Sequence, residues 1–269
     1  MTDRPVLIDI GANLTHDSFD ADRDAVLARA ADAGVVQLVV TGSSEATSRD
    51  AQALAARYPG RLFASAGVHP HHASDYSDRV HATLTALADD DAVVAIGECG
   101  LDYFRDFSPR ATQRAAFTRQ LELAAAKQLP VFLHQRDAHD DFVEALEPWT
   151  GRLTRAVAHC FTGDAGMLRD YVELGLYIGV TGWVCDERRG RALYDAIASI
   201  PSDRLMIETD APYLLPRTLR PKPKTRRNEP AWLPEVLRVV AEAAGRDARD
   251  IAHETTANAR RFFGLPEPA

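Results

Sequence analysis

The 269-residue sequence lacks long hydrophobic runs, and no stretch approaches the ~18 apolar residues that a membrane-spanning helix requires. The first residues, MTDRP, do not form a basic segment followed by an apolar one, so we predict no secretory signal. Cysteine is scarce: Cys99, Cys160 and Cys185 are far apart, and an odd number of cysteines does not suggest a disulfide framework. These absences predict a cytoplasmic protein with no membrane partner.

Positive charge is also in deficit, because 31 Lys and Arg residues face 39 Asp and Glu residues, giving a net charge of −8. Such a balance argues against a protein that coats nucleic acid without sequence preference, since that mode needs many phosphate contacts. It leaves open an enzyme that grips one chain end through a local basic patch. No glycine pattern matches a P-loop or a dinucleotide fingerprint, so we predict no nucleotide cofactor.

Short runs rich in Val, Ile and Leu alternate with helical patterns along the whole chain. The predicted strands are residues 6–10, 37–41, 62–66, 92–96, 131–134, 156–159, 176–180 and 205–208. Amphipathic patterns between them include residues 21–33, 110–127 and 137–146. This rhythm is typical of a parallel sheet with helical crossovers. Eight repeats favour an α/β fold of the (β/α)8 barrel (TIM barrel) type, with a doubly wound open sheet as the alternative.

The end of the chain and its domain organisation follow from the same patterns. The apolar patterns predict two further helices, over residues 233–244 and 248–263. One of them is an extra C-terminal helix beyond the barrel repeats. We find no linker or low-complexity segment, so we predict a single domain over residues 1–269 and a monomer.

Polar residues that are costly to bury lie at or just past six predicted strand ends. They are His69, Glu98, His134, His159, Glu208 and Asp210. Active sites of barrels form at the carboxyl ends of the strands, and converging imidazoles and carboxylates suit a divalent metal ion. Any one of these histidines could instead be a hydrogen-bonded core residue, and Asp210 could cap a turn before Pro212. Six convergent candidates favour a metal site.

Five ordered motifs resemble the TatD family of metal-dependent deoxyribonucleases. They are residues 67–70 (GVHP), 96–102 (IGECGLD), 130–134 (PVFLH), 159–163 (HCFTG) and 208–214 (ETDAPYL). The similarity runs from about residue 8 to about residue 264 in uninterrupted order. Residues 182–190 and 226–230 resemble one branch of the family in particular.

The resemblance implies a TIM-barrel metal hydrolase that cleaves phosphodiester bonds of DNA and trims single strands from the 3′ end, with RNA as an open second substrate. By motif position it implies that Glu98, His134 and His159 bind the metal, and we predict that Asp210 is a further ligand. Asp210 would also be the catalytic carboxylate, and His69 would face the substrate. We predict a divalent metal cofactor, Mg²⁺ in preference to Mn²⁺ or Zn²⁺.

One departure concerns the first strand, where most of the family has Asp-x-His-x-His and this sequence has Gly11 and Asn13 in place of the two histidines. Glycine offers no side-chain ligand and asparagine is a weak oxygen donor. We therefore predict a weak, oxygen-rich site here that uses Asn13, Glu98 and Asp210 and favours hydrated Mg²⁺ or Mn²⁺.

The predicted roles follow the needs of phosphodiester hydrolysis. Asp210 would accept a proton from the attacking water, His69 would donate a hydrogen bond to the substrate, and Glu208 would orient the site. A basic stretch follows the eighth strand and could contact phosphates: Arg217, Arg220, Lys222, Lys224, Arg226 and Arg227. We assign substrate contact to Arg226 and Arg227. Aromatic residues at strand ends could stack on unpaired bases, with Phe161 as the main candidate beside Tyr103, Phe104 and Trp183.

Other functions remain open at this point. The same site could hydrolyse a small ester or amide, including an aminoacyl ester on RNA. Alternatively, the protein could be a partner of a protein-export system with residual metal binding, an idea that the missing first-strand histidines favour. The basic stretch and the aromatics could also be a solvated loop and packed core residues.

Overall fold

The computed structural model describes residues 4–267, in which eight β-strands form one sheet in chain order. The strands are β1 (Leu7–Ala12), β2 (Val35–Val40), β3 (Leu62–Ala66), β4 (Val93–Asp102), β5 (Val131–Arg136), β6 (Ala156–Ala158), β7 (Tyr177–Val180) and β8 (Leu205–Ile207). The fold is the predicted (β/α)8 barrel, and the alternative of an open sheet is wrong. Where β1 and β8 end, backbone N–H groups of Asp210 and Asn13 donate to the carbonyls of Gly11 and Ala211 at 2.8 and 2.7 Å.

Helices alternate with the strands. They are α1 (Arg23–Asp32), α2 (Glu45–Ala56), α3 (Asp78–Leu87), α4 (Arg110–Lys127), α5 (His139–Leu146), α6 (Ala165–Glu173), α7 (Arg191–Ala196), α8 (Leu233–Ala244) and α9 (Ala248–Phe263). The bounds predicted for α4, α8 and α9 are confirmed. Helix α5 begins two residues later than predicted, because Asp137 has a φ of 53°, outside the right-handed helical region. None of the helices between residues 4 and 267 has the length and apolarity needed to cross a bilayer.

Strand β4 differs most from its prediction, since it continues from residue 93 to Asp102 rather than ending at residue 96. Its second half pairs with β5 up to Asp102 opposite Arg136, after a register shift between Gly97 and Cys99. Gly97 and Gly100 have φ values of 133° and 147°, and a side chain on Gly100 would collide with the carbonyl of His134. The glycines therefore let two strands approach closely where the pattern indicates a strand end.

Contacts between Cα atoms group the described chain into two compact units. One consists of residues 4–39, 160–169 and 178–267, and the other of residues 40–159 and 170–177. The first contains β1 and β8, and the second contains β3 to β6. All residues of β1, β3 and β4 are buried, so these strands form core in both units. A single domain over residues 1–269 stays a prediction.

Candidate active site

Glu98, on β4, is the centre of a group of imidazoles. Its Oε1 atom lies 2.8 Å from Nε2 of His159, 2.9 Å from Nδ1 of His134 and 3.4 Å from Nε2 of His69. His69 follows β3, His134 lies in β5 and His159 follows β6. Since the carboxyl ends of parallel strands meet at one end of a barrel, these exits bring four of the six predicted residues together.

Burial and mutual charge set the protonation of this group. Burial raises the pKa of Glu98, but the surrounding imidazoles, chiefly His69 and His159, outweigh it and hold that pKa well below its usual range. Burial also lowers the pKa of His69 well below its usual range, so this ring is neutral at physiological pH. For His134, the carboxylates of Asp102 and Glu98 outweigh burial and raise the pKa. Glu98 is therefore held as a charged carboxylate among hydrogen-bond donors.

The tautomer of His69 follows from its position at the start of the short 3₁₀ turn Pro70–Asp75. Its Nδ1 atom accepts a hydrogen bond from the backbone N–H of His71 at 3.0 Å. A neutral imidazole that accepts at Nδ1 carries its proton on Nε2, the atom that faces Glu98. His69 can therefore donate from Nε2, and its role as a donor to the substrate stays a prediction.

Asp102, at the end of β4, is a member of the site that the sequence interpretation missed. Its Oδ2 atom lies 2.7 Å from Nε2 of His71, while its Oδ1 accepts hydrogen bonds from the backbone N–H groups of Phe104 and Arg105 at 3.0 and 2.8 Å. Burial raises its pKa, but His134 and His71 outweigh burial and the net shift is strongly downward. The signal was present in the motif at residues 96–102, in which Asp102 stands four residues after Glu98.

Two overlapping groups among residues 4–267 have potential ligand atoms that all lie within 4.8 Å of one another: Glu98 with His134 and His159, and His69 with Asp102 and His134. The first group is the one that the motif positions imply for the metal. In the second group, Nδ1 of His69 already accepts from the backbone N–H of His71. Within the described residues, the buried Nε2 of His134 has no hydrogen-bond partner, and Oδ2 of Asp102 at 3.5 Å is too far to satisfy it. One carboxylate and two imidazoles form a donor set that suits a divalent ion.

A second set of polar side chains lies where β1 and β8 end. These side chains offer carboxylate oxygens and an amide in place of imidazoles. The Asn13 side-chain amide donates to Oδ1 of Asp210 at 2.9 Å. Asp210 has a φ of 54°, in the left-handed region, and its backbone N–H is bonded to Gly11. The Asp210 carboxylate is therefore oriented by the side-chain amide of Asn13.

Two buried carboxylates lie close to this second set in sequence. Oδ1 and Oδ2 of Asp9 accept hydrogen bonds from the backbone N–H and the hydroxyl of Thr209 at 2.9 and 2.5 Å. Burial outweighs these bonds and raises the pKa of Asp9 to about 7. Glu208 is fully buried, and its Oε1 accepts from the backbone N–H of Cys160 at 2.6 Å. Glu208 therefore fixes the backbone of the residue that follows His159.

The neighbouring arginines Arg226 and Arg227 have different surroundings. Both terminal nitrogens of Arg227 donate to the two carboxylate oxygens of Asp22 at 2.8 Å, and one also donates to the carbonyl of Ser18 at 2.6 Å. These contacts commit Arg227 to the protein itself. Arg226 lines a surface pocket of about 580 Å³. The other cationic residues that line it are Arg189, Arg217 and Lys222.

Phe161, predicted to stack on bases, is 4% exposed. A ring without an accessible face cannot stack on a base, so this prediction is corrected on physical grounds: Phe161 packs in the core, where its ring lies close to Gly163. Large exposed aromatic side chains are found instead at Phe104, Phe107 and Tyr213. Burial of this kind depends on tertiary packing, which the sequence does not display.

Comparison with known proteins decides the family. A family model described as TatD related DNase matches residues 8–264. The chain belongs to the TatD family. A relative from Erwinia billingiae named 3′-5′ ssDNA/RNA exonuclease TatD is 53% identical over 260 residues, covering 97% of this chain and 100% of the relative. A TatD relative of the same name from Cronobacter sakazakii is 54% identical over 257 residues, or 96% and 97% of the two chains.

Solved structures of TatD-family proteins agree. YjjV, a TatD homologue from Escherichia coli, is 32% identical with a TM-score of 0.88, covering 97% of this chain and 98% of YjjV. A TatD-family hydrolase from Entamoeba histolytica is 26% identical with a TM-score of 0.85, covering 98% and 99% of the two chains. The predicted family and barrel fold are thus confirmed.

Proposed function

We propose that this chain is a divalent-metal-dependent 3′–5′ exonuclease that hydrolyses phosphodiester bonds of single-stranded DNA, with RNA as a second substrate. The observation that carries this proposal is the end-to-end similarity, 53% identity over 97% of the chain, to a relative named 3′-5′ ssDNA/RNA exonuclease TatD. The group of Glu98, His134 and His159 supports it, because its donor set suits the metal that such chemistry requires.

The metal site in this proposal uses Glu98, His134 and His159, with Asp210 as a further ligand. When bound, a divalent ion would activate a water molecule and offset negative charge on the phosphoryl oxygens. We favour Mg²⁺ or Mn²⁺ over Zn²⁺, because Gly11 and Asn13 supply no imidazole at the first strand and leave oxygen donors there.

The chain's own residues would move protons and orient groups. We propose that Asp210 accepts the proton of the attacking water, since the Asn13 amide at 2.9 Å fixes the direction of its carboxylate. His69 would donate from Nε2 to a phosphoryl or leaving oxygen. Glu208 would act through the backbone of Cys160, which it holds at 2.6 Å, and not by touching the substrate.

Substrate contact outside the reacting bond is proposed for Arg226, which lines its pocket together with Lys222. The other two arginines of the pocket, Arg189 and Arg217, are paired with Asp186. Arg227 would act by holding its loop through Asp22. We also propose a monomer that works in the cytoplasm, an environment that suits the three free cysteines.

The experiment that tests the function uses single-stranded DNA and RNA of identical sequence, labelled at the 5′ end. With Mg²⁺ or Mn²⁺ present, we expect a ladder of products shortened one nucleotide at a time from the 3′ end, and little reaction on blunt duplex. The Glu98→Gln variant, which keeps the size of the side chain, is the control for contaminating nucleases. Products without a ladder, or cleavage of carboxyl esters in preference to DNA, would contradict the proposal.

A separate measurement tests the metal. Protein purified without added ions should contain less than one equivalent of metal and should need added Mg²⁺ or Mn²⁺ for turnover. Two tightly retained zinc ions per chain would show that the interpretation of Gly11 and Asn13 is wrong.

A further inference from the structure

Two phenylalanines after β4 expose most of their rings to solvent. Phe104 is 56% exposed and Phe107 is 68% exposed. Four large hydrophobic side chains stand exposed among residues 4–267, and these two lie within one four-residue stretch. Burying a phenylalanine stabilises a fold by about 1.5–3 kcal/mol, so a pair of rings left in water points to a binding surface.

The stretch is held firmly at both ends, so the exposure of the rings is not fraying. The side chain of Gln113, 1% exposed, accepts from the backbone N–H of Asp102 at 2.9 Å. It also donates to the carbonyls of Asp102 and Ser108 at 3.1 and 2.8 Å. The Ser108 hydroxyl in turn donates to the carbonyl of His71 at 3.1 Å. The buried side-chain amide of Gln113 thus holds both ends of residues 102–108, the segment that carries the two phenylalanines.

The exposed rings continue directly from the imidazoles of the candidate active site. The ring of Phe107 lies 4.8 Å, centroid to centroid, from that of His71. The His71 ring lies 4.1 Å from that of His69, which faces Glu98. An unbroken row of rings therefore leads from Glu98 to the solvent-exposed face of Phe107.

Two arginines place positive charge beside the ring of Phe104. The guanidinium carbon of Arg136 lies 4.7 Å from the ring centroid of Phe104, and that of Arg105 lies 5.6 Å from it. Aromatic faces beside guanidinium groups are the combination with which proteins bind single-stranded nucleic acid, because each nucleotide offers a π-face and a phosphate.

We propose that Phe104, Phe107, Arg105 and Arg136 form a stacking platform for unpaired bases of the substrate strand, next to the active site. The proposal rests on the nuclease function proposed above. It adds a physical reason why the enzyme would act on single strands rather than on duplexes. A base in a duplex is stacked on its neighbours and paired, and cannot lie flat on Phe107. The bases that occupy the platform belong to the nucleotides adjoining the one being removed.

The test compares Phe107→Leu with Phe107→Trp, because leucine keeps apolar bulk without a π-face and tryptophan keeps the π-face. Binding is measured by fluorescence anisotropy with octathymidylate in EDTA, which needs no catalysis, and KM and kcat are measured with Mg²⁺. A second set of strands carries an abasic residue at each of the terminal positions in turn. Thermal unfolding serves as the folding check, and since the side chain is exposed we expect no change in Tm.

We expect Phe107→Leu to weaken binding and raise KM about 5- to 100-fold, the range for loss of one stacked base, with kcat unchanged and Phe107→Trp close to wild type. One abasic position should remove the difference between wild type and Phe107→Leu, as coupled partners do in a double-mutant cycle. Equal binding by all three proteins, or a loss that is the same on natural and abasic strands, would overturn the platform.

Failure of the nuclease proposal has a different signature. In that case the wild-type protein leaves natural strands intact with Mg²⁺ and Mn²⁺, whatever the anisotropy shows. If strands bind and Phe107→Leu weakens that binding, the platform stands without the nuclease. If no strand binds, the exposed rings serve another partner and the platform is wrong.

Discussion

Glu98 and Asp9 are both buried carboxylates on strands of the same fold, yet their pKa values shift in opposite directions. Burial raises the pKa of each. For Glu98 the imidazoles around Oε1 outweigh burial and the pKa falls well below its usual range. For Asp9 the partners are the neutral N–H and hydroxyl of Thr209, which are too weak to outweigh burial, and the pKa rises to about 7.

The difference teaches that neighbouring side chains, and not depth alone, decide whether a buried acid keeps its charge. We call Glu98, His69, His134 and His159 the imidazole region. We call Asp9, Asn13, Thr209 and Asp210 the oxygen region. The first has the donors to hold a charged carboxylate and a metal, and the second orients acids through neutral donors. The predictions below change these two regions and the residues around them, and we expect the imidazole region to be the more sensitive of the two.

The largest effect is expected from Glu98→Gln in the imidazole region. The amide is nearly isosteric but supplies no charge to the ring nitrogens at 2.8 and 2.9 Å. We expect loss of metal binding and a fall in kcat/KM of at least about 10³-fold. Equilibrium dialysis with Mn²⁺ and nuclease assays check this, and near-normal Mg²⁺-dependent cleavage by the variant would refute the site.

Asp9→Asn should remove a loss of stability that the wild-type protein shows as the pH rises. The folded-state pKa of Asp9, about 7, lies above its usual 3.8, so between those values the folded protein keeps a proton that the unfolded chain loses. Wild-type stability therefore falls as pH rises through this window, by up to about 4 kcal/mol. The variant should lack this fall. Urea unfolding of both proteins at about pH 5 and about pH 8 checks the difference, and parallel pH profiles would contradict it.

Asp102→Asn should weaken metal binding and activity about 10- to 100-fold, the usual scale for a group that supports a metal site without binding the ion. The change removes a carboxylate charge that lies 3.5 Å from Nε2 of His134. The amide oxygen can still accept from Phe104 and Arg105, so the turn persists, while the amide N–H₂ faces His71. Metal affinity and nuclease rate should fall together with Tm unchanged. A fall in Tm without a change in metal affinity would reduce Asp102 to a structural role.

The arginine pair separates binding from stability. Arg226→Ala should raise KM several-fold and flatten the salt dependence of binding, because fewer counterions are released, with Tm unchanged. Arg227→Ala should instead lower stability by about 1 kcal/mol through loss of the Asp22 ion pair. Each variant is the control for the other. An unchanged salt slope in Arg226→Ala would exclude phosphate contact at that position.

Asn13→Ala should have the smallest effect on the reaction, a loss of kcat of about tenfold or less, because it removes one hydrogen bond from a neutral amide to the Asp210 carboxylate. His134→Ala in the imidazole region should cost far more. Assay of the two variants side by side at several Mg²⁺ concentrations makes the comparison. Equal losses would mean that the oxygen region contributes as much to metal binding as the imidazole region.

Apolar runs were sufficient to predict the barrel, because buried parallel strands appear in a sequence as short runs of Val, Ile and Leu. The extension of β4 to Asp102 was not predictable in that way, because the glycines of this segment resemble those that follow a strand. The segment is a strand because it pairs with β5, and such pairing depends on the tertiary fold. Arg226 and Arg227 are equivalent in sequence. The approach of Asp22, 205 residues away in the sequence, holds Arg227 but not Arg226. Phe161 and Phe107 likewise differ in exposure through packing alone.

The clamp made by Gln113 has a consequence for protein engineering. Its hydrogen bonds go to main-chain atoms of Asp102 and Ser108, so they do not depend on which side chains the stretch between those residues carries. A library randomised at positions 104, 105 and 107 would therefore vary the surface beside the active site while the frame that supports it stays intact. Substrate range can evolve at these positions independently of the machinery that breaks the bond.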